Sequence, residues 1–336
     1  MHARHEKTNP KAGIARSDGQ GFELAKIGAG SSDEKKGFFH VFLFLPRRGD
    51  PKALKKGWQL QICPHITVLF TASETEMNSL KTVICMKWGT LYPASYVNVL
   101  YHAVRRHITG DLRFVCLTDD AHGLDPAIDH FPIPDMGLSD FDWKKGGWPK
   151  LSVFKETLYD LSGRCLFLDL DSVITGPLDA LFDHPGDVVT IDTSPNWARL
   201  GGNSAPMAGT GVFTFTIGQF PEIFDRFMAD HSGMVAKYRI EQIYLQGELP
   251  EGALRFWPLD WVLSFKYHLR RPPLLGLVQR PKPPLPDTRV VAFHGEPRPI
   301  DLVRPGVWGI APHLGRGRVP WAVNYWRENG GNPERD

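Results

Sequence analysis

The chain has almost no net charge: 39 Lys and Arg stand against 37 Asp and Glu over 336 residues, a formal +2. A surface so balanced lacks the positive field by which nucleic-acid binders gather phosphate, so no nucleic-acid partner is expected. Cysteine is also scarce, with four in all (Cys63, Cys85, Cys116 and Cys165) and no CxxC pair. Three of them sit inside apolar runs, as small buried hydrophobes do. Neither a zinc site nor a disulfide framework is expected, and a reducing compartment suits the chain. Long apolar runs are missing too. The best, "GFFHVFLFLP" at 37–46, falls short of the ~18 residues a membrane span needs. It lies too far from the N-terminus, with no small-residue cleavage site, to be a signal peptide. The expectation is a cytoplasmic, soluble protein without a transmembrane segment, for which peripheral membrane contact stays open.

What is present is ordinary for a globular chain: 42% apolar residues, enough for a sizeable core. Residues 1–76 stand apart, polar and weakly periodic, with isolated apolar stretches joined by the basic "RRGDPKALKKGW". We expect them to be a flexible or non-native extension, with the folded enzyme running from 77 to 310 and a C-terminal tail at 311–336. From 80 onward strand and helix signals alternate. "TVICMKW" (82–88) is a buried strand, and 89–107 is a helix with Pro93 in its first turn and "RRH" at its end. "LRFVCLT" (112–118) is a second strand, "PKLSVFKETLYDL" (149–161) a second helix, and "RCLFL" opens a third strand. This order implies right-handed crossovers and a mostly parallel, Rossmann-like α/β sheet covered by helices. Further on, "GVFTFTI" (211–217) reads as a strand, "FPEIFDRFMAD" (220–230) as a helix and "TRVVAFHGEPRP" (288–299) as a strand running into a turn.

The chemistry centres on "RCLFLDLDSVITGPLDALFD" (164–183), where an apolar run ends in Asp169 and Asp171. In a strand these two share a face, and they sit at its carboxyl end, where open α/β sheets bind ligands. Two carboxylates this close repel one another unless a cation neutralises them, and a hard divalent metal, Mn²⁺ or Mg²⁺, is the natural counter-charge. Two enzyme classes carry such a D-x-D. "DLDSV" matches the first motif of haloacid-dehalogenase phosphatases, and "GDVVTID" (186–192) mimics their later acidic motif. That motif normally opens its fold, however, whereas here two strand–helix units precede it.

The sequence order resembles more closely that of GT-A glycosyltransferases of the glycogenin-like group and related bacterial enzymes. "VITGPLDALF" is similar to that group's continuation after D-x-D, and "VVAFHGEPRP" to its H-x-G-x-x-K-P element. The resemblance covers roughly residues 80 to 300. It implies a single catalytic domain of GT-A type, using a nucleotide-sugar (UDP-sugar) donor and transferring a hexose to an acceptor hydroxyl with retention. By that resemblance His294 joins Asp169 and Asp171 as the third metal ligand, while Gly295 and Arg298 meet the diphosphate; the group's usual Lys is here Arg298. Lys87, Trp88 and Gly89 would lie at the nucleotide, and Lys150 would touch the donor. Glu241 and Asp260 are the candidates for a catalytic base. A carbohydrate or a lipid-linked acceptor fits, and the basic, proline-rich loop at 270–287 is where an anionic or lipid-linked one would touch. The competing readings are the Mg-dependent phosphatase and a non-catalytic nucleotide-sugar-binding module.

Overall fold

The computed structural model describes residues 80–138 and 147–336, together with strands Phe22–Lys26, Phe42–Pro46, Leu60–Ile62 and Ile66–Val68. The chain divides into two units, Met1–Met77 and Asn78–Asp336. In the first, Phe22–Lys26 pairs antiparallel with Phe42–Pro46, and Leu60–Ile62 with Ile66–Val68. The expected extension at 1–76 otherwise lies outside the described residues.

The second unit is built on a seven-stranded sheet. Its strands are β1 (Lys81–Lys87), β2 (Leu112–Thr118), β3 (Asp129–Phe131), β4 (Arg164–Leu168), β6 (Val188–Asp192), β7 (Ala208–Thr216) and β8 (Leu254–Phe256). They run in the order β8-β6-β7-β4-β1-β2-β3. β4, β1, β2 and β3 are parallel neighbours, and β8 is parallel to β6. Only β7 runs against its neighbours. The sheet is therefore mostly parallel, as the alternating strand and helix signals imply, with one reversed strand beside β4.

Alternation along β1 explains the two-layered cover. Val83 and Cys85 join one apolar cluster with Val97, Leu100 and Ala103 of α1 (Ala94–Arg106). Ile84 and Met86 join the other, with Leu151, Ile223 of α4 (Pro221–Ala229) and Tyr244 of α6 (Glu241–Glu248). A strand that buries both faces reads as an unbroken apolar run, which is why β1, β2 and β4 are so plain in the sequence. Cys85, Cys116 and Cys165 are free and buried in these layers; Cys63 lies outside the described residues.

A three-stranded sheet adjoins, in the order β9 (Val262–Ser264), β10 (Val290–Ala292), β5 (Ser172–Ile174). Beyond it lie helix α7 (Pro299–Val303), the hairpin of β11 (Gly306–Trp308) and β12 (Gly315–Gly317), and helix α8 (Pro320–Glu328).

Two expectations need correction. The segment 149–161 is not one α-helix. A 3₁₀ turn covers Trp148–Phe154 and stops, because Lys155 is extended (ψ 146°) and Tyr159 adopts φ 55°. Leu151, Phe154, Leu158 and Leu161 are buried nonetheless, so packing rather than helical repetition set their spacing. Nor is 311–336 a tail. Val323 and Trp326 of α8 are buried, and Trp326 packs edge-on against Tyr96 of α1 with ring centroids 5.0 Å apart. Trp326→Ala is therefore expected to cost about 3–5 kcal/mol, the usual range for emptying a buried aromatic site. A denaturant titration reads this directly; a loss below about 1 kcal/mol would make α8 dispensable.

Candidate active site

Register places the site. β4 ends at Leu168, one residue before the first aspartate, and 169–171 turn the chain out of the large sheet into β5. Asp169 and Asp171 thus stand on that turn rather than on the strand itself, closed by the Ser172 amide donating to the Asp169 carbonyl at 3.0 Å. β5 pairs antiparallel with β10, Ser172 opposite Ala292. The ladder continues as the Phe293 amide donates to the Asp171 carbonyl at 3.2 Å. One residue further, His294 stands beside the aspartate turn. Two sequence motifs about 125 residues apart meet through one antiparallel pairing.

A cavity of about 280 Å³ opens there, with Lys150, Asp169, Thr210, Glu241, Gln242 and His294 among its lining residues. A larger one, about 650 Å³, lies between α1, the 284–286 loop and α8, and shares no residue with it. We place the site in the smaller because buried ionisable groups converge there. Lys150 Nζ donates to Asp169 Oδ2 at 2.7 Å and to the Thr210 carbonyl at 3.3 Å, and lies 3.9 Å from Glu241 Oε1. Thr210 Oγ1 donates to the same Glu241 oxygen at 2.6 Å.

Burial dominates the electrostatics. It pushes the Asp169 and Glu241 carboxyls above their ordinary values, against the pull of Lys150. Asp171 is pushed up to about 7, by burial first and then by the negative charge of Asp169. Burial works against the Lys150 charge, but Asp169 and Glu241 outweigh it and hold its pKa above normal. His294 is pushed down to about 4, by burial of its ring and by the Lys266 ammonium. The residue is exposed, and its imidazole lies beside Trp197 and Tyr267, centroids 6.0 and 5.6 Å away, with Nε2 2.8 Å from Ser264 Oγ.

Glycine makes the room. Gly147, at φ 65°, lies against Glu241, whose Oε1 would sit 2.6 Å from an added Cβ. At Gly211 an added Cβ would press on Asp169 Oδ2 at 3.3 Å. "AGTGVF" (208–213) is thus the sequence signal for the cavity wall, and Thr210 within it was not singled out from sequence.

The other sequence candidates fall elsewhere. Lys87 is buried and donates to the Asp120 carbonyl at 3.1 Å, and the Gly89 amide donates to Asp119 Oδ2 at 2.8 Å. Trp88 packs half-buried against the core. These tie the carboxyl ends of β1 and β2 together but do not line the cavity. Asp260, half-buried in the turn before β9, does not line it either. Gly295, at φ 73°, follows His294 in the turn. Arg298 caps α7 and lies 5.7 Å from the ring of Tyr92, whose hydroxyl faces Asp171 Oδ2 at 3.5 Å.

Among the described residues no three His, Cys, Asp or Glu side chains are gathered as a ready metal cage. The donor chemistry nevertheless suits a cation: burial raises the proton affinity of both carboxylates, and the charge of Asp169 raises that of Asp171 further. Asp192, the phosphatase-like acid, is otherwise engaged. It accepts from the amides of Ser194 (2.8 Å) and Met207 (3.0 Å) and from Asn196 Nδ2 (3.3 Å), which hold it below the usual carboxylate range despite burial.

No family model and no curated protein matches the chain. Among solved structures it is similar to the galactosyltransferase LgtC in complex with donor and acceptor sugar analogs, at 14% identity and a TM-score of 0.46, over 74% of this chain and 95% of that one. It is similar also to the glycosyltransferase GlyE of Streptococcus pneumoniae TIGR4, at 12% identity and a TM-score of 0.48, over 76% of this chain and 62% of that one. The third is the bifunctional glycosyltransferase WbbM, at 14% and 0.46, over 74% and 51%. The chain thus spans about three fifths of GlyE and half of WbbM. Among the described residues no helix is long and apolar enough to cross a membrane.

Proposed function

We propose that this protein is a glycosyltransferase that moves a sugar from a nucleotide-sugar donor, UDP-linked in our reading, to an acceptor hydroxyl with retention. The observation that carries the proposal is the pairing of β5 with β10, which brings the chain at Phe293 against the Asp169–Asp171 turn at the carboxyl end of a central strand. Open α/β sheets bind their ligands at that position.

In this reading Asp169, Asp171 and His294 would hold Mn²⁺ or Mg²⁺, which supplies positive charge for the departing diphosphate. Lys150 would have to share Asp169 with the ion, and the polyanionic donor gives its ammonium a second partner. Glu241 then positions rather than abstracts: bound by Thr210 and close to Lys150, it steers that ammonium. Gln242, the next residue, lines the cavity where the sugar would sit. A phosphatase would need its second acid at Asp192, which is occupied with backbone amides.

Calorimetry with UDP and GDP, with and without Mn²⁺, on the native protein and on Asp171→Asn tests the proposal. The expected result is metal-dependent binding of one nucleotide, weakened about a hundredfold or more in the variant, with slow hydrolysis of the matching nucleotide sugar. Absence of nucleotide binding under either metal would sink the proposal, and release of phosphate from a simple phosphomonoester would replace it with the phosphatase. Binding without transfer or hydrolysis would leave a donor-binding module.

A further inference from the structure

Exposed large hydrophobic side chains are unevenly spread. Seven of the fourteen found among the described residues fall between Leu274 and Ile310. Leu274 is 63% exposed, Val278 81%, Val307 63% and Ile310 69%. They come together because the turn at Leu274–Val278 sits on the 309–315 segment. The Leu274 amide donates to the Pro312 carbonyl at 3.1 Å, and Gly276 is packed against the Leu314 carbonyl, with no space for a Cβ. Single exposed leucines need no explanation, but a gathered set does.

The charge on one side of this patch is of one sign, while Glu296 and Asp301 stand beside Val307 on the other. Residues 265–286 carry five Lys or Arg and no Asp or Glu. Arg280, Lys282 and Arg316 are exposed, and none of them, nor Arg271, has an ion-pair partner among the described residues. Apolar side chains at the Leu274–Val278 turn, flanked by the cations of Arg280, Lys282 and Arg316, suit a surface that is anionic outside and hydrocarbon beneath.

We propose that the face formed by Leu274–Lys282 and the tip of the β11–β12 hairpin docks on an anionic lipid membrane. Val278, Leu274 and Ile310 enter the interface, while Arg280, Lys282 and Arg316 meet lipid phosphates. Docking would also place the cavity near the bilayer, since Tyr267 lines it and Arg270 lies three residues on. Only that consequence, a lipid-linked acceptor, rests on the sugar-transfer reading; the docking itself does not.

The test is co-sedimentation of the full chain with vesicles of phosphatidylcholine alone and of phosphatidylcholine mixed with phosphatidylglycerol, across a salt series. Binding to the anionic vesicles only, falling as salt rises, is the expected result. Arg280→Gln with Lys282→Gln should weaken it on the order of thirtyfold, since each basic residue is worth about one fivefold step. Val278→Glu, at an exposed position outside the cavity, should weaken it too while circular dichroism stays unchanged. Equal binding to neutral and anionic vesicles, or none to either, overturns the proposal. So does a solution dimer that Val278→Glu dissociates, which would give the face to a second copy of the chain.

Discussion

Replacing Lys150 with methionine is expected to cost about 3–5 kcal/mol of stability at pH 7, the range for leaving a buried charge without its partner. Methionine keeps the length and apolar stem of lysine, so the loss comes from the ammonium. Asp169 would lose its ion pair at 2.7 Å and Glu241 its cation at 3.9 Å. Both carboxyls already stand above their ordinary values because of burial, even with Lys150 present. Without it they rise further, and the folded state must either protonate them or hold bare charge. The Asp169 side chain keeps 31% of its exposure, so water will soften the penalty toward the lower end. The sign with pH follows. Raised carboxyl values penalise the fold only where the unfolded chain is ionised, so the deficit should shrink as pH falls toward 4. Urea titrations of both proteins from pH 4 to 8 measure this, and Asp169→Asn added to Lys150→Met should recover part of the loss. A deficit unchanged across that range would mean that Lys150 acts by packing alone.

The contrast between the two sheets explains which parts of the fold could be read in the sequence. β2 was expected at 112–118 and is found at Leu112–Thr118, because a strand buried on both faces must be apolar throughout. α1 was legible from Tyr96, Val99, Leu100 and Ala103, which recur on one face with the chain entering at Pro93. The helix expected at 149–161 failed because its apolar spacing serves packing in the layer beneath the sheet, while Tyr159 breaks it at φ 55°. α8 escaped notice because its buried residues, Ala322, Val323 and Trp326, are few and lie in a stretch rich in polar residues and glycine. In the site, the order of two motifs brought Asp169, Asp171 and His294 into view, and Lys150 and Glu241 came from the same resemblance. Thr210, Tyr92 and Ser264 did not, since a side chain's partner across 31, 79 or 30 residues leaves no local trace. Lys87 and Gly89 stand at strand ends as expected, but their groups are turned to Asp120 and Asp119.

Adding Mn²⁺ should stabilise the protein, and more so at pH 8 than at pH 5. Asp171 has a folded value of about 7 against an ordinary 3.8, set by burial and then by Asp169. An acid raised in this way favours the fold below its ordinary pKa, and that contribution is lost as pH rises from about 4 to about 7. The native state near neutrality therefore holds a pair of carboxylates that either keeps a proton or accepts strain. A divalent ion relieves the strain where the proton has left and must compete with the proton where it remains. At a hundredfold excess over its dissociation constant the ion would contribute about 2.7 kcal/mol. For a folded unit of this size that is a rise of roughly 5 °C in melting temperature. Asp171→Asn separates the causes: it removes the mutual repulsion, so the metal-free variant should be more stable than the native chain at pH 8 and gain little from Mn²⁺. If the native protein gains nothing from Mn²⁺ or Mg²⁺ at any pH, the ammonium of Lys150 is the cation this site was built around. Sugar transfer would then have to proceed on the charge of Lys150 alone, and Lys150→Met should abolish it.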